Sequence, residues 1–182
     1  MIQNTNSIQV EIEQNISKFG ICCDFRHSSV QVQESIILKN QKSLRATEFI
    51  PVNSVIFIFE NSISEVRTRT SIQVSNTFHI EAGDFGAFTN HSCNPNARII
   101  CECDEQSKTA KVMLVTIVDV YTGDELTFDY ATTESTLTTD ILYKTCLCNS
   151  KNCRGSMVGF NELSPLQLQD LKQKGNIASY LI

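Results

Sequence analysis

Three cysteines crowded near the end of the sequence constrain this chain more than any other feature. Cys146, Cys148 and Cys153 form a C-x-C-x4-C array within 182 residues, and thiolates this close together can converge on one tetrahedral zinc ion. The alternative is three free thiols in a loop, although ordinary cysteines are seldom so crowded. Zinc needs a fourth ligand that the array lacks, and spacing alone leaves several candidates: Cys22, Cys23, Cys93, Cys101 and Cys103.

Composition limits the compartment and the partners. No apolar run approaches the length of a membrane span, and the polar start, MIQNTNSIQVEIEQN, has no apolar segment typical of a signal peptide. We therefore expect a chain that is not secreted and has no membrane partner. In a reducing compartment, eight cysteines are better explained by metal ligands and buried thiols than by disulfides. The net charge of -5 argues against direct nucleic-acid binding.

The hydrophobic pattern predicts a mainly β fold with few helices. Residues 8–12, 72–80 and 110–118 alternate apolar and polar positions, which is typical of strands with one buried face. Residues 55–59, VIFIF, form a continuous apolar run, as in a strand buried on both faces. The polar, threonine-rich residues 131–140 predict a loop or a short helix.

The clearest helix signal comes late, over residues 164–175. Ser164 suits the N-cap, Pro165 the first helical position, and Gln167 completes a capping box. Gly175 is suited to end the helix, because glycine readily adopts the left-handed conformation found there.

Two further motifs become informative when they are taken together. Residues 88–96 read FTNHSCNPN and residues 123–130 read GDELTFDY. Alone, the first could be a solvated turn in which His91 is a capping or surface residue, and Tyr130 in the second could be a core tyrosine. In this order, and followed by C-x-C-x4-C, they resemble the SET-domain protein lysine methyltransferases that carry a post-SET zinc motif. The likeness is close over residues 85–155 and extends more weakly back to about Lys42.

The resemblance implies a particular fold and division of the chain. The family fold is a set of small curved β-sheets in which the two motifs lie side by side in a pseudoknot, followed here by a zinc loop and a C-terminal helix. It implies a SET core at 42–131, a post-SET zinc motif at 143–159 and a helix at 164–175. Residues 1–41 would form a β-rich N-terminal segment that belongs to the SET fold or precedes it.

The resemblance also implies roles for individual residues. Tyr130 matches the catalytic tyrosine, and Phe88 and Phe128 are expected to line the substrate channel, with Phe128 tuning how many methyl groups are added. Cys93 matches the cysteine that joins Cys146, Cys148 and Cys153 on zinc. The residues expected to contact S-adenosylmethionine are Leu44, Arg45, Asn90, His91 and Leu147.

The sequence departs from the family pattern in a few places. The usual Gly-x-Gly segment is absent around 41–45, Phe59 stands near a position that often holds a second tyrosine, and Ala87 replaces a frequent arginine. We expect an S-adenosylmethionine-dependent enzyme, nuclear or cytoplasmic, that methylates lysine in a protein such as a histone tail. The departures motivate one alternative, an inactive SET-like module that binds a peptide or the cofactor. A zinc-dependent scaffold is the third reading.

Overall fold

The computed structural model describes residues 25–182, and these form a mainly β structure, as predicted. The predicted strand at 8–12 and the pair Cys22 and Cys23 lie outside the described residues. The strands are β1 (Phe25–Arg26), β2 (Val30–Glu34), β3 (Lys42–Ala46), β4 (Val55–Ser64), β5 (Ser71–Gln73), β6 (His79–Glu81), β7 (Asn90–His91), β8 (Ala97–Asp104), β9 (Thr109–Thr116) and β10 (Thr127–Phe128).

The largest sheet has six strands in the order β5-β6-β4-β9-β8, with β1 also paired to β4. Strands β4, β8 and β9 are antiparallel neighbours, so their inward side chains form one apolar layer. The strongly apolar start of β4 is buried on both faces, because Ile56, Phe57, Ile58 and Phe59 are each at most 8% exposed. The continuous apolar run thus correctly predicted a doubly buried strand.

The single strand predicted over residues 72–80 was wrong, because this segment folds as two strands joined by a turn. Strands β5 and β6 pair in antiparallel register, with Ile72 opposite Ile80. The Val74 amide donates to the Phe78 carbonyl at 2.9 Å, and the Ser75 hydroxyl accepts from the Phe78 amide. Serine and asparagine favour such turns through side-chain bonds to the backbone, and here that tendency overrides the alternating pattern.

Two α-helices lie in the described part of the chain, α1 (Gly83–Ala87) and α2 (Pro165–Lys174). The predicted caps of α2 are present: Ser164 and Gln167 form a reciprocal capping box, and Gly175 ends the helix with a φ of 71°. Between residues 25 and 182, neither helix has the length and apolar character that crossing a membrane requires. The segment after Phe128 begins as a 3-10 turn, Tyr130–Thr132.

Candidate active site and zinc-binding cluster

The two central motifs meet as a short parallel pair. Strand β7 pairs with β10, which places Asn90 beside Thr127 and His91 beside Phe128. The Ser92 amide extends the pairing by donating to the Phe128 carbonyl at 3.1 Å. Segments far apart in sequence are thereby held in one register, and Tyr130 follows directly after this pair.

His91 lies at the centre of the site as a neutral ring. Burial lowers the pKa of His91 to about 4, a shift that the nearby Asp129 carboxylate opposes and the Arg154 cation reinforces. The Tyr130 amide donates to His91 Nδ1 at 3.2 Å, so the proton of the neutral ring belongs on Nε2. That Nε2 lies 3.3 Å from Cys93 Sγ and can donate to this sulfur. His91 therefore links the backbone of Tyr130 to the cysteine cluster.

Tyr130 is held by contacts on several sides. Its hydroxyl donates to the Thr89 carbonyl at 3.2 Å, and its ring centroid lies 5.2 Å from that of His91 and 4.8 Å from that of Phe128. Burial, reinforced by the nearby Glu134 charge, raises the pKa of Tyr130 to about 12. The phenol is consequently protonated at neutral pH, and it can orient a reacting group through its oxygen.

Two cavities meet at this tyrosine. The larger has a volume of about 370 Å³, which suits a nucleoside-sized ligand, and its lining includes Asn90, His91 and Leu147. The smaller, hereafter the narrow channel, has a volume of about 50 Å³, and its lining includes Thr89, Phe128 and Glu134. Both cavities are lined by Arg69, Thr70, Ala87, Tyr130 and Ile141. Tyr130 therefore lies in the lining of one wide and one narrow cavity.

The structure does not bring every predicted site residue to these cavities. Leu44 is fully buried in the apolar core, and Arg45 donates from Nε and Nη2 to the Gly123 carbonyl. Successive residues of strand β3 point to opposite faces, and neither of these two lines either cavity. The same holds for Phe88, whose ring lies beside the ammonium of Lys42. The preceding loop reaches the large cavity instead, through Ile37, Leu38 and Gln41.

Four cysteines converge behind the site. The Sγ atoms of Cys93, Cys146, Cys148 and Cys153 lie within 4.8 Å of one another, whereas Cys101 and Cys103 lie on strand β8 and take no part. Four thiolates at this separation are the donor set of a closed structural zinc site. The chain therefore supplies the fourth sulfur that the C-x-C-x4-C array needs, and it comes from the Asn-His-Ser-Cys segment.

A buried ion pair joins the cysteine loop to the residue before Tyr130. Arg154 Nη1 donates to Asp129 Oδ2 at 2.9 Å, and Nη2 donates to Oδ1. The two side chains are only 9% and 3% exposed. Asp129 also accepts from the Ala131 amide at 3.1 Å, which caps the 3-10 turn that contains Tyr130. No sequence pattern indicated that Arg154 and Asp129 would pair.

Two buried carboxylates were also missed by sequence reasoning. Glu125 lines the large cavity, and its Oε2 is buried without a hydrogen-bond partner among residues 25–182. An orphaned acceptor in a cavity of this size fits a ligand that brings hydroxyl or amine donors, as a nucleoside sulfonium does. Glu134 lines the narrow channel. Acidic residues are usually exposed, and no sequence pattern marks either of these two as buried.

Comparison with known proteins agrees with this geometry. A family model described as the SET domain matches residues 41–131, half of the chain, and the chain therefore belongs to the SET-domain family. Histone-lysine N-methyltransferase met-2 of Caenorhabditis elegans is 36% identical over 81 residues, which are 43% of this chain and 6% of that protein. The H3 lysine-36-specific histone-lysine N-methyltransferase of Cryptococcus neoformans is 27% identical over 158 residues, 75% of this chain and 18% of its own length.

Solved structures share the fold. KRYPTONITE in complex with mCHH DNA, H3(1-15) peptide and SAH superposes with a TM-score of 0.56 at 26% identity, covering 72% of this chain and 30% of that one. The methyltransferase domain of human SETMAR gives a TM-score of 0.53 at 20% identity over 70% of this chain and 57% of its own. The chain spans less than a fifth of the length of the two curated relatives.

Proposed function

We propose that this chain transfers a methyl group from S-adenosylmethionine to the side-chain amine of a lysine in a protein. One observation carries the proposal: Tyr130 lines both the wide cavity and the narrow channel. A bulky donor in the wide cavity and an unbranched side chain in the narrow channel would reach each other along the residues that both cavities share, and Tyr130 is one of these. The relatives named as histone-lysine N-methyltransferases support the same reaction.

The residues of the large cavity suit S-adenosylmethionine. When bound, this cofactor supplies a methyl group on a positively charged sulfur. Asn90, His91 and Leu147 line the cavity, and the unpartnered Oε2 of Glu125 is available to an amine or hydroxyl of the ligand. We propose that Asn90 and His91 hold the cofactor, as the resemblance implies, and that Leu147 covers one side of it.

The narrow channel favours the reactive form of lysine. A free lysine amine has a pKa near 10.4, so its neutral form costs about 4–5 kcal/mol at pH 7 at 1.36 kcal/mol per pH unit. The buried Phe128 ring and the partly buried Tyr130 ring desolvate the channel, and desolvation disfavours the ammonium form. The Tyr130 hydroxyl, fixed by the Thr89 carbonyl, then orients the amine, and alignment of the reacting groups lowers the barrier further.

We propose that zinc fills the four-cysteine cluster in a structural role. Four sulfur ligands leave no open position for substrate or water, so the ion would organise the polypeptide and take no part in the chemistry. The cluster joins Cys93, next to the cofactor-binding segment, to the loop of residues 146–153 that carries Leu147. This arrangement supports a division into a SET core at 42–131, a zinc motif at 143–159 and a helix at 164–175.

We propose a lysine-bearing protein as the partner, with a histone tail as the first candidate. KRYPTONITE was solved with an H3(1-15) peptide, and the Cryptococcus relative is named as specific for H3 lysine 36. A histone substrate would place the chain in the nucleus, and another protein substrate would place it in the nucleus or the cytoplasm.

The decisive experiment is incubation with radiolabelled S-adenosylmethionine, core histones and an array of lysine peptides. We expect label on a lysine in the parent reaction, and loss of most of that rate in Tyr130→Phe without loss of cofactor affinity. Asn90→Ala should instead weaken cofactor binding in a calorimetric titration. Cofactor binding by the parent without transfer to any substrate would refute the enzymatic proposal and favour a binding module.

A further inference from the structure

The narrow channel contains a carboxylate that the mechanism has not used. Among the described residues that line it, only three carry charge, namely Arg67, Arg69 and Glu134. Glu134 is 7% exposed and follows Tyr130 by one turn, because its amide donates to the Tyr130 carbonyl at 2.8 Å. Glu134 and Tyr130 therefore follow each other closely along the chain, and both line this channel.

Only one oxygen of this carboxyl is occupied by the fold. Glu134 Oε1 accepts from the Gln73 amide at 2.8 Å and from the Thr133 hydroxyl at 3.4 Å. No residue between 25 and 182 donates a hydrogen bond to Oε2. A glutamine could accept the Gln73 amide equally well through its own Oε1. The fold thus has no need of a carboxylate at this position, and burial makes a charge there unfavourable.

A lysine in this channel must lose a proton before it can attack. We propose that Glu134 takes up that proton, an inference that rests on the proposed methyl transfer. The lysine ammonium first donates a hydrogen bond to Oε2 of the carboxylate. Its N–H bond then breaks as an O–H bond forms on Glu134, which leaves a neutral amine beside a neutral carboxylic acid. The amine lone pair then forms the new N–C bond while the S–C bond of the sulfonium breaks, and its electron pair stays on sulfur.

The surroundings of the carboxyl agree with this role. Burial raises the pKa of Glu134 to about 7, partly opposed by its hydrogen bonds and by the Arg67 cation. Near neutral pH the carboxyl therefore exchanges between its charged and neutral forms, and it is more basic than an exposed glutamate. The charged and titratable groups that face it come from each element packed around it: Arg67, Arg69, Cys101, Tyr130 and Tyr180.

The test compares the pH dependence of kcat/KM in the parent, Glu134→Gln and a matched control, on the array peptide that the parent methylates best. The parent should rise with pH and level off above about 7. Glu134→Gln should be about 10²–10⁴-fold slower at pH 7.5 and should gain about tenfold per pH unit toward the lysine pKa near 10.4. Glu134→Asp keeps a carboxyl and should retain more activity than the glutamine. The control is Glu60→Gln, an exposed acid on strand β4 that lines neither cavity.

A second readout needs no cofactor and no turnover. Binding of the same peptide, with its target lysine or with the uncharged isostere norleucine, is measured at pH 8 by fluorescence anisotropy. The parent should prefer lysine, and Glu134→Gln should lose much of that preference. An equal preference in both proteins, or a rate ratio that stays constant from pH 7 to 10, would overturn the role of Glu134 while leaving the methyl transfer intact. A parent that transfers no label at any pH would overturn the proposed function, and the inference with it.

Discussion

The buried pair between Asp129 and Arg154 allows the sharpest test of how the cysteine loop supports the site. In Arg154→Met the apolar stem is retained, while Asp129 Oδ1 and Oδ2 lose both guanidinium donors. Because Asp129 is 3% exposed, its carboxylate is left without its cation in a place that water barely reaches. Removing one partner of such a pair typically lowers the free energy of unfolding by about 3–5 kcal/mol. For a chain of this size, each kcal/mol corresponds to a change in Tm of about 2–4 °C.

We therefore expect the Tm of Arg154→Met to be lower than that of the parent by about 6–20 °C. Circular dichroism in the presence of zinc measures this Tm, and the zinc content of each protein is determined in parallel. The matched control is Arg69→Met. Arg69 also pairs with an aspartate, Asp140, but the two side chains are 64% and 49% exposed. An exposed pair contributes about 0–1 kcal/mol, so this control should lower Tm by no more than a few degrees. Equal losses in the two variants would refute the argument that burial of the pair, rather than the removal of an arginine, sets the cost.

Three further predictions follow from the site. Elemental analysis of the parent should find about one zinc per chain, as expected for a closed site. Cys148→Ser should lower that zinc content, whereas Cys101→Ser should leave it unchanged. Full zinc content in Cys93→Ser would contradict the proposed ligand set. Burial raises the pKa of Glu134 from 4.5 to about 7, so its ionisation costs stability above pH 7 and costs nothing below 4.5. Glu134→Gln should then have a free energy of unfolding up to about 3 kcal/mol higher than the parent at pH 8, which urea unfolding measures. An unchanged free energy of unfolding would contradict the cost assigned to burying the charged carboxyl. Phe128→Tyr should shift the product from di- or trimethyl-lysine towards monomethyl-lysine. The rate of the second methylation relative to the first should fall by up to about tenfold, the effect of roughly one hydrogen bond. Intact-mass analysis of a peptide can follow this shift, and a parent that stops at one methyl group would contradict the prediction.

Local patterns predicted the parts of this molecule that local forces determine. The cap of helix α2 needs only Ser164, Pro165 and Gln167 near one another, and the doubly buried start of β4 needs only a run of apolar residues. The four-cysteine cluster could be predicted because three of its members lie within eight positions and the resemblance around Cys93 brought in the fourth.

The missed features depend on contacts between distant parts of the chain. Strand β3 has one face towards the core, and this decides whether Leu44 or its neighbours can reach a cofactor. The orientation of β3 depends on its pairing with β2, a contact with another strand, and not on its own sequence. The burial of Glu134 depends on Gln73, which is 61 positions away. The Asp129 and Arg154 pair forms only once the cysteine loop has closed. Long-range burial of a polar side chain therefore marks the limit of what could be predicted from the sequence.

A zinc ion without a chemical role would still affect the reaction, because two connections run from its ligands to the same short segment. Cys93 lies against His91 Nε2, and His91 Nδ1 accepts from the Tyr130 amide. Arg154, next to Cys153, holds the Asp129 carboxylate that caps the Tyr130 turn. Both connections end on the backbone of residues 129–131, so loosening the cluster would displace Tyr130 from its place in the lining of the two cavities. Since misplacement of a reacting group by about 1 Å can cost a hundredfold in rate, loss of zinc should reduce kcat at temperatures where the rest of the sheet is still folded.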